Sequence, residues 1–527
     1  MFSHSSLFFL LKINRILCVK SAVLFFIVSC LSACDPKPSQ SESDAQVTTS
    51  TLSIDRTPTR ELLTRGVYHD LLLNPHSITN TEQNVFLRDL LEGLTAYDAM
   101  GNIIPAVAQS WQTEDYKAWI FLLRDGIRWS NGDLLSAQDF VASWQALARS
   151  NSQLKSYLRF LNLANSQAVI EGNMAVDQLG VEAIAENILR IQLDKPTPHL
   201  PAMLAHVVLL PNYQKQTSEF IGNGAYRLVN QQGNLIHLEK NYNYWASEKV
   251  SFKFVDYQKL NNTESVSDLD IVFEPKNLPI EIQYFPQLCT YYYEFNLADP
   301  LLKHHSVRKA LTSMISSRRI VQDVAPQMQT TTHFLPHSMR MESDLAWQPV
   351  VMEQLLEQNG ITEKSPLQLK LTYDQDNLHN NIAQRLVRMW SQSDMIRISA
   401  EPVSRQQLLE KREKGDFQLI RSGWCADYNE PSAFLHSFYS HSPDNKISYR
   451  NADIDKLLET TLRPQPEAER QALYDQIAEQ LQQENVVLPI FQYTKPIFIH
   501  STIVGYHTNN PTGIIYSKDL YRKVNSK

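Results

Sequence analysis

Apolar residues recur along this chain with two different periods, and the switch from one to the other marks out its elements. From Asn84 onward, Phe86, Leu87, Leu90, Leu91 and Leu94 follow helical spacing with Gly93 near the end, which predicts a helix burying one face. Trp119 to Leu123 is apolar and aromatic enough for a strand, and Ser130-Asn131-Gly132-Asp133 reads as a turn. Ser136 with Asp139 three residues later announces a helix start, and Phe140, Val141, Trp144 and Leu147 fall on one side of it. GNGAY at Gly222 to Tyr226 runs into RLV, a Gln-Gln-Gly-Asn turn and LIHLEKN, the pattern of a β-hairpin. CTYYYEFN from Cys289 is a strand with aromatic rings on both faces; strand side chains alternate, so one or two of Tyr291, Tyr292 and Tyr293 must be core.

The second half alternates strand and helix. Leu367, Leu369 and Leu371 lead into a helix carrying Ile382, Leu386 and Met389, and Ile396 to Ala400 leads into a helix around Leu408 and Leu409. Phe417 to Ile420 then leads into RSGWCADYNEP, Arg421 to Pro431. Two helices, Asp453 to Leu458 and Glu467 to Gln482, precede the strand VVLPIFQY. Repeated strand-helix units predict an α/β fold with a largely parallel sheet, whose ligands sit beyond the carboxyl ends of the strands. Arg421 to Asp427 is expected at one such end, and His379 follows another.

Length and composition narrow the picture. A chain of 527 residues supports at least two cores, since single cores stop growing near about 250 to 300 residues. With 49 basic against 56 acidic residues and a sequence pI near 6.1, it carries no electrostatic footprint for nucleic acid. At the N-terminus Lys12, Arg15 and Lys20 precede the apolar run Ala22 to Val28, too short for a stable span, which ends in Leu31-Ser32-Ala33-Cys34. That tetrad resembles the lipobox of bacterial lipoproteins, which implies a signal peptide over 1–33 and a lipid on Cys34. Asp35 after it resembles an inner-membrane retention signal. Residues 34–53, polar and rich in Pro and Ser, read as a tether. Of five cysteines, Cys18 and Cys30 leave with the signal and Cys34 takes lipid, leaving Cys289 and Cys425. In an exported protein this suggests one disulfide; two separate buried thiols fit the spacing equally.

The stretch from Arg421 to Pro431 holds the candidate chemistry. Asp427 lies between Trp424 and Tyr428, with no lysine or arginine between Arg421 and Lys446. Such a carboxylate can seat a cation, while Gly423 and Cys425 offer backbone groups to a peptide and glycine lets a ligand's backbone approach. The plainer reading makes Asp427 the cap of a following helix. By themselves Arg412, in the charged run Glu410 to Lys414, reads as a solvated helix face, and His379 as a helix-start or surface histidine. An exported hydrolase of peptides or peptidoglycan is the rival function, but no Gly-x-Ser-x-Gly, His-Glu-x-x-His or Ser-x-x-Lys with supporting context is present. The Gly-x-Gly of GNGAY lacks the third glycine of a dinucleotide fingerprint, and no cysteine cluster points to a metal. No cofactor, metal or catalytic residue is expected.

FLRDLLEGLTAYD, PAVAQSWQTEDYKAWIFLLRDGIRWSNGDLLSAQDFVASWQ, GNGAYRLV and GWCADYNEPSAFL, in order from about Asn74 to the C-terminus, resemble bacterial oligopeptide-binding lipoproteins, the family 5 extracytoplasmic receptors of peptide ABC importers. The resemblance implies a periplasmic-binding-protein-like fold of type II: two hinged lobes with an additional inserted domain and a peptide between the lobes. Lobe I would take 54–91, 211–288 and 496–527, the inserted domain 92–210 and lobe III 289–495. It implies that Asp427 pairs with the ligand's ammonium, that Gly423 and Cys425 bond its main chain as an added strand, and that Cys289 and Cys425 form a disulfide. Arg412, Arg421 and His379 would meet the ligand's carboxylate at different lengths, with Tyr292, Glu294, Trp424 and Tyr493 lining side-chain pockets. The implied partners are a short peptide, the permease and ATPase subunits of an ABC transporter, and a membrane reached through the lipid of a monomeric protein on its periplasmic side. Two positions depart from the family: Ala142 stands where many relatives have tyrosine, and a cation, Arg405, lies near a position that can hold a pocket tryptophan. A shorter or more acidic ligand, such as a cell-wall (murein) peptide, is the alternative.

Overall fold

The computed structural model describes residues 61–215, 217–277, 281–341 and 351–523. The expected signal peptide, Cys34, the tether and the first residues of lobe I lie outside the described residues. Among the described residues no helix is long and apolar enough to cross a membrane.

The chain opens with β1 (Leu62–Val67) and α1 (Thr81–Leu90), then builds a small antiparallel sheet from β2 (Ala108–Thr113), β3 (Ala118–Leu123), β4 (Val181–Ala185) and β5 (Ile188–Gln192). Helix α2 (Ala137–Arg149) packs on that sheet; the Asp139 carboxylate accepts from the Ser136 N–H at 2.7 Å, as the sequence predicts. The hairpin β6 (Tyr226–Gln232) and β7 (Leu235–Lys240) follows, then β8 (Phe254–Lys259), β9 (Ile271–Phe273) and the 14-residue β10 (Ile282–Phe295). The alternating region supplies β11 (Leu367–Asp374), α3 (Asn377–Trp390), β12 (Ile396–Val403), α4 (Arg405–Lys414) and β13 (Leu419–Cys425). Helix α5 (Glu467–Gln483) precedes the 13-residue β14 (Val487–Ile499).

These strands join one 11-stranded sheet in the order β12-β11-β13-β10-β14-β9-β1-β8-β7-β6, with the short strand Gln329–Thr330 beside β14. The expectation of a largely parallel sheet is corrected to a mixed one. β11 lies parallel to β12 and β13, and β1 parallel to β8 and β9, but β10 and β14 are antiparallel to each other and to their outer neighbours. Strand-helix repeats report only local crossovers, whereas β10 and β14 are long strands that run from one lobe into the other. Their pairing breaks between Pro286↔Thr494 and Thr290↔Gln492. The Gln492 side chain partly fills the break, donating to Gln287 O at 2.8 Å and accepting from the His337 N–H at 3.2 Å. A ladder interrupted there bends more easily than a continuous one.

Three large cores follow from this layout. One underlies α1, the small sheet and the β6 to β9 region; the other two cover opposite faces of the lobe built on β10 to β14. The GNGAY glycines belong to the first: a Cβ at Gly222 would lie 2.1 Å from Leu90 O and one at Gly224 2.5 Å from Leu90 C. Gly224 N donates to Leu90 O at 2.9 Å, and the Asn223 side chain accepts from Glu92 N and donates to Glu92 O. The motif seals the end of α1 against the incoming chain, so its glycines serve close packing.

Candidate functional site

The site is organised by β13, which extends further than its apolar start suggests. Arg421 lies within the strand, and Asp427 comes two residues after its end at Cys425. β11 pairs with β13 only at Leu371↔Leu419 and Thr372↔Ile420, then diverges. From Arg421 to Cys425 the β13 edge facing away from β10 has no strand beside it among the described residues. That open edge can take an extended chain by main-chain bonding. Gly423 is exposed there, and a Cβ on it would meet only Thr290 O at 3.4 Å, so the protein's own packing does not demand glycine.

Alternation along β13 sorts the expected residues onto two faces. Arg421 and Gly423 oppose Tyr293 and Tyr291, while Ser422 and Ile420 oppose Tyr292 and Glu294. All three tyrosines are buried, more than alternation requires. On the second face Arg412 makes a two-pronged contact with Glu294, at 2.7 and 2.8 Å, and Ser422 Oγ donates to Glu294 at 3.2 Å. Burial disfavours the Arg412 charge, but Glu294 outweighs it and raises the pKa. The charged run had suggested a solvated helix face; Arg412 is drawn inward because it lies one turn after buried Leu408. Trp424 packs on this face too, donating Nε1–H to Ala433 O at 2.7 Å.

On the first face the Arg421 guanidinium contacts His379 Nε2, lies 3.3 Å from Asp374 Oδ1 and stands over the Tyr291 ring at 5.4 Å. His379 sits in the first turn of α3, where its N–H donates to the capping Asp376 carboxylate at 2.7 Å, and its Nε2 is 2.9 Å from Asp376 Oδ2. Burial, then the Arg421 charge, lowers the His379 pKa to about 4. Arg405, at the start of α4, reaches Asp374 Oδ2 at 3.4 Å with about half its side chain in solvent. Tyr493 of β14 stands 6.2 Å from Tyr291, ring to ring, on the same face. The sequence reading missed Asp374 and Asp376. The available signal was Asp-x-x-His at 376 to 379, a helix cap that also buries the histidine.

Cys289 and Cys425 are directly opposed across β10 and β13 and form a disulfide. The two-thiol alternative is thereby corrected: strand pairing brings the sulfurs together. Beyond the strand, Asp427 is exposed, and its charge acts on the buried hydroxyls of Tyr97 and Tyr157. It does not cap the next helix, Ser432–Leu435; the Glu430 carboxylate takes that role, accepting from Ser432 N at 2.8 Å. Tyr428 stacks on His199 at 5.0 Å, joining this loop to the part of the chain around the small sheet. Burial lowers the His199 pKa to about 3, so the ring is neutral at pH 7. Ala142, on α2, is half-buried.

The assembled site thus has a carboxylate at one end, an open strand edge along its length and a cluster of guanidinium, imidazole and carboxylate groups at the other. The sequence profile of the family described as "Bacterial extracellular solute-binding proteins, family 5 Middle" matches residues 102–446. A putative binding protein of Haemophilus influenzae is 50% identical over 515 residues, covering 97% of this chain and 99% of its own. The periplasmic oligopeptide-binding protein OppA of Salmonella typhimurium is 30% identical over 488 residues, 85% of this chain and 90% of its own. Among solved structures, the unliganded open form of the periplasmic murein tripeptide binding protein MppA superposes with a TM-score of 0.81, at 29% identity, over 88% of this chain and 97% of that one. A second structure of Escherichia coli MppA gives only 0.59 at the same identity and coverage of this chain, with 98% of that one covered. At equal sequence identity, this chain thus superposes better on the unliganded open form than on the second structure.

Proposed function

Because the chain belongs to the bacterial extracellular solute-binding proteins of family 5, we propose that it is a non-catalytic extracytoplasmic receptor that takes a short peptide along the open edge of β13 and delivers it to an ABC importer. The observation that carries this reading is the edge of β13 from Arg421 to Cys425 that no strand covers among the described residues, with Asp427 beyond one end and Arg421 at the other. The ligand's ammonium pairs with Asp427, its main chain bonds at Gly423 and Cys425, and its carboxylate meets Arg421 and His379. Asp427 lies six positions after Arg421, roughly 20 Å of extended chain, and the reach of the two side chains leaves room for a ligand of about three or four residues. Tyr493 flanks ligand side chains on the Arg421 face, and Trp424 and Tyr292 on the other. The Arg412–Glu294 pair supports the floor of the site, since their two charges already face each other in a two-pronged contact.

The lobe and inserted-domain boundaries given above, a monomeric state and anchoring through a lipid on Cys34 belong to the same proposal. Murein peptide is the second ligand reading, favoured by the match to the open form of a murein tripeptide binding protein. Titration of a free-amine tripeptide into Asp427→Ala tests the ammonium seat. Truncating one partner of a desolvated charge pair costs about 2 to 5 kcal/mol, so affinity is expected to fall about 30-fold or more. An N-acetylated tripeptide should bind the variant and the parent alike. Equal affinity of the free-amine ligand for both proteins would remove Asp427 from the site, and peptide turnover during incubation would revive a hydrolase.

A further inference from the structure

We propose that His379 takes up a proton from solvent as the ligand's carboxylate enters beside Arg421, which selects carboxylate-ended ligands and makes their capture stronger at lower pH. The inference rests on the peptide reading of the site and concerns only its far end.

A charge count around the imidazole motivates it. Asp374 faces His379 from the end of β11 and Asp376 from the cap of α3; Arg421 faces it from β13 and Arg405 from α4. Tyr291 of β10 lies 5.4 Å from the ring, and Tyr493 of β14 completes the wall; burial raises both phenol pKa values and keeps these groups neutral. Two guanidiniums therefore balance two carboxylates while His379 is uncharged. A ligand carboxylate is a third anion beside the buried side chains of His379, Asp374 and Arg421, and within this set only the imidazole can supply a third positive charge.

Geometry points the same way. His379 Nε2 meets a donor, the Arg421 guanidinium, and an acceptor, Asp376 Oδ2 at 2.9 Å, at the same nitrogen. A neutral Nε2 that accepts from Arg421 has no hydrogen to give Asp376 Oδ2, and one that carries a hydrogen for Asp376 faces a guanidinium. Either state of the empty site leaves one contact unfavourable. Asp374 Oδ1, His379 Nδ1 and Arg421 Nε are also buried without hydrogen-bond partners. A ligand carboxylate that draws the guanidinium toward itself frees Nε2 to bind a proton and donate to Asp376. The N–H bond forms with a proton from hydronium or buffer acid, and no bond in the ligand breaks. Donor atoms of Asp374, Asp376 and His379 lie within 4.8 Å of one another, but the two guanidiniums sharing the cluster oppose a metal cation.

The sign follows from linkage. In the empty site burial and Arg421 hold the His379 pKa near 4, and a neighbouring carboxylate raises it in the complex. Binding then strengthens as pH falls through the raised value and levels off below about 4. Between the two values the gain approaches about tenfold in affinity per pH unit.

Calorimetric titration of tri-alanine and of tri-alanine amide into the full protein, between about pH 5 and 6.5 so that the ligand's own α-amine stays protonated, in phosphate and in buffers of high ionisation enthalpy, tests the proposal. The acid is expected to bind with proton uptake that rises toward one as pH falls, and the amide more weakly and without uptake. His379→Gln is expected to bind the acid with no proton uptake and a flat pH profile. Buffer-independent heats for tri-alanine on the parent protein would overturn the proposal, as would equal uptake with the amide or uptake that persists in His379→Gln. The acid and amide arms decide the question on the parent protein even if that variant fails to fold. Binding by neither ligand would overturn the peptide reading and this inference with it, whereas an insensitive Asp427→Ala beside intact proton uptake would fault only the ammonium seat.

Discussion

Glu294 has about 4% of its side chain exposed and Arg412 about 20%, and the two meet in a two-pronged contact. Removing either one strands a buried charge. Arg412→Ala is expected to lower the unfolding free energy by about 3 kcal/mol, the scale of breaking a buried ion pair from one side, with the denaturant dependence unchanged. Urea unfolding measures this, and a variant as stable as the parent would return Arg412 to the solvated face its charged neighbours suggest. Arg421 behaves differently although only nine positions away. Its partners His379 and Asp374 leave buried polar atoms unmatched, which a structural pair does not do. The two arginines thus differ in their partners: Arg412 ends in a two-pronged pair with Glu294, while Arg421 stands among His379, Asp374 and Tyr291.

At the scale of elements, β13 is fastened on one edge and open on the other. Its fastened edge pairs with β10 from Phe295↔Leu419 to Cys289↔Cys425 and is closed at the last step by the disulfide. That bond spans 136 positions of sequence, and closing so long a loop stabilises by up to about 5 kcal/mol in the chain-entropy account. The Cys289→Ser, Cys425→Ser double variant is expected to unfold at lower denaturant, by about 2 to 4 kcal/mol. It should also bind peptide more weakly, because the end of β13 next to Asp427 loses its anchor while the break in the β10–β14 ladder lies beside it. Parallel unfolding and binding titrations check both effects; stability lost with affinity intact would confine the bond to a structural role.

For the whole molecule, the match to an unliganded open form and the interrupted ladder between Pro286 and Thr290 together predict closure about β10 and β14 when ligand binds. Small-angle scattering should show a smaller radius of gyration with saturating tri-alanine than without, and equal radii would argue for a rigid cleft. The contact of Tyr428 with His199 lies between the loop after β13 and the small-sheet region. It packs that loop against the small-sheet region.

The amphipathic helix at α1, the Ser136 and Asp139 cap of α2, the β6–β7 hairpin and the strand-helix alternation from Leu367 were legible because each depends on neighbours a few residues apart. The candidate stretch was legible for the same reason: a strand that carries Gly423 and Cys425 and leads into Asp427 concentrates its chemistry locally. The sequence alone therefore determined the elements, the family resemblance and the stretch to examine. Tertiary structure decided that β10 and β14 run antiparallel through a mixed sheet and that Cys289 opposes Cys425. It also decided that Arg412 closes on Glu294 while Arg421 joins His379, Asp374, Asp376 and Arg405, and these are pairings between strands and helices far apart in the chain. No local period encodes them; they are fixed when the sheet sets its register and the pleat sends alternate side chains to opposite faces.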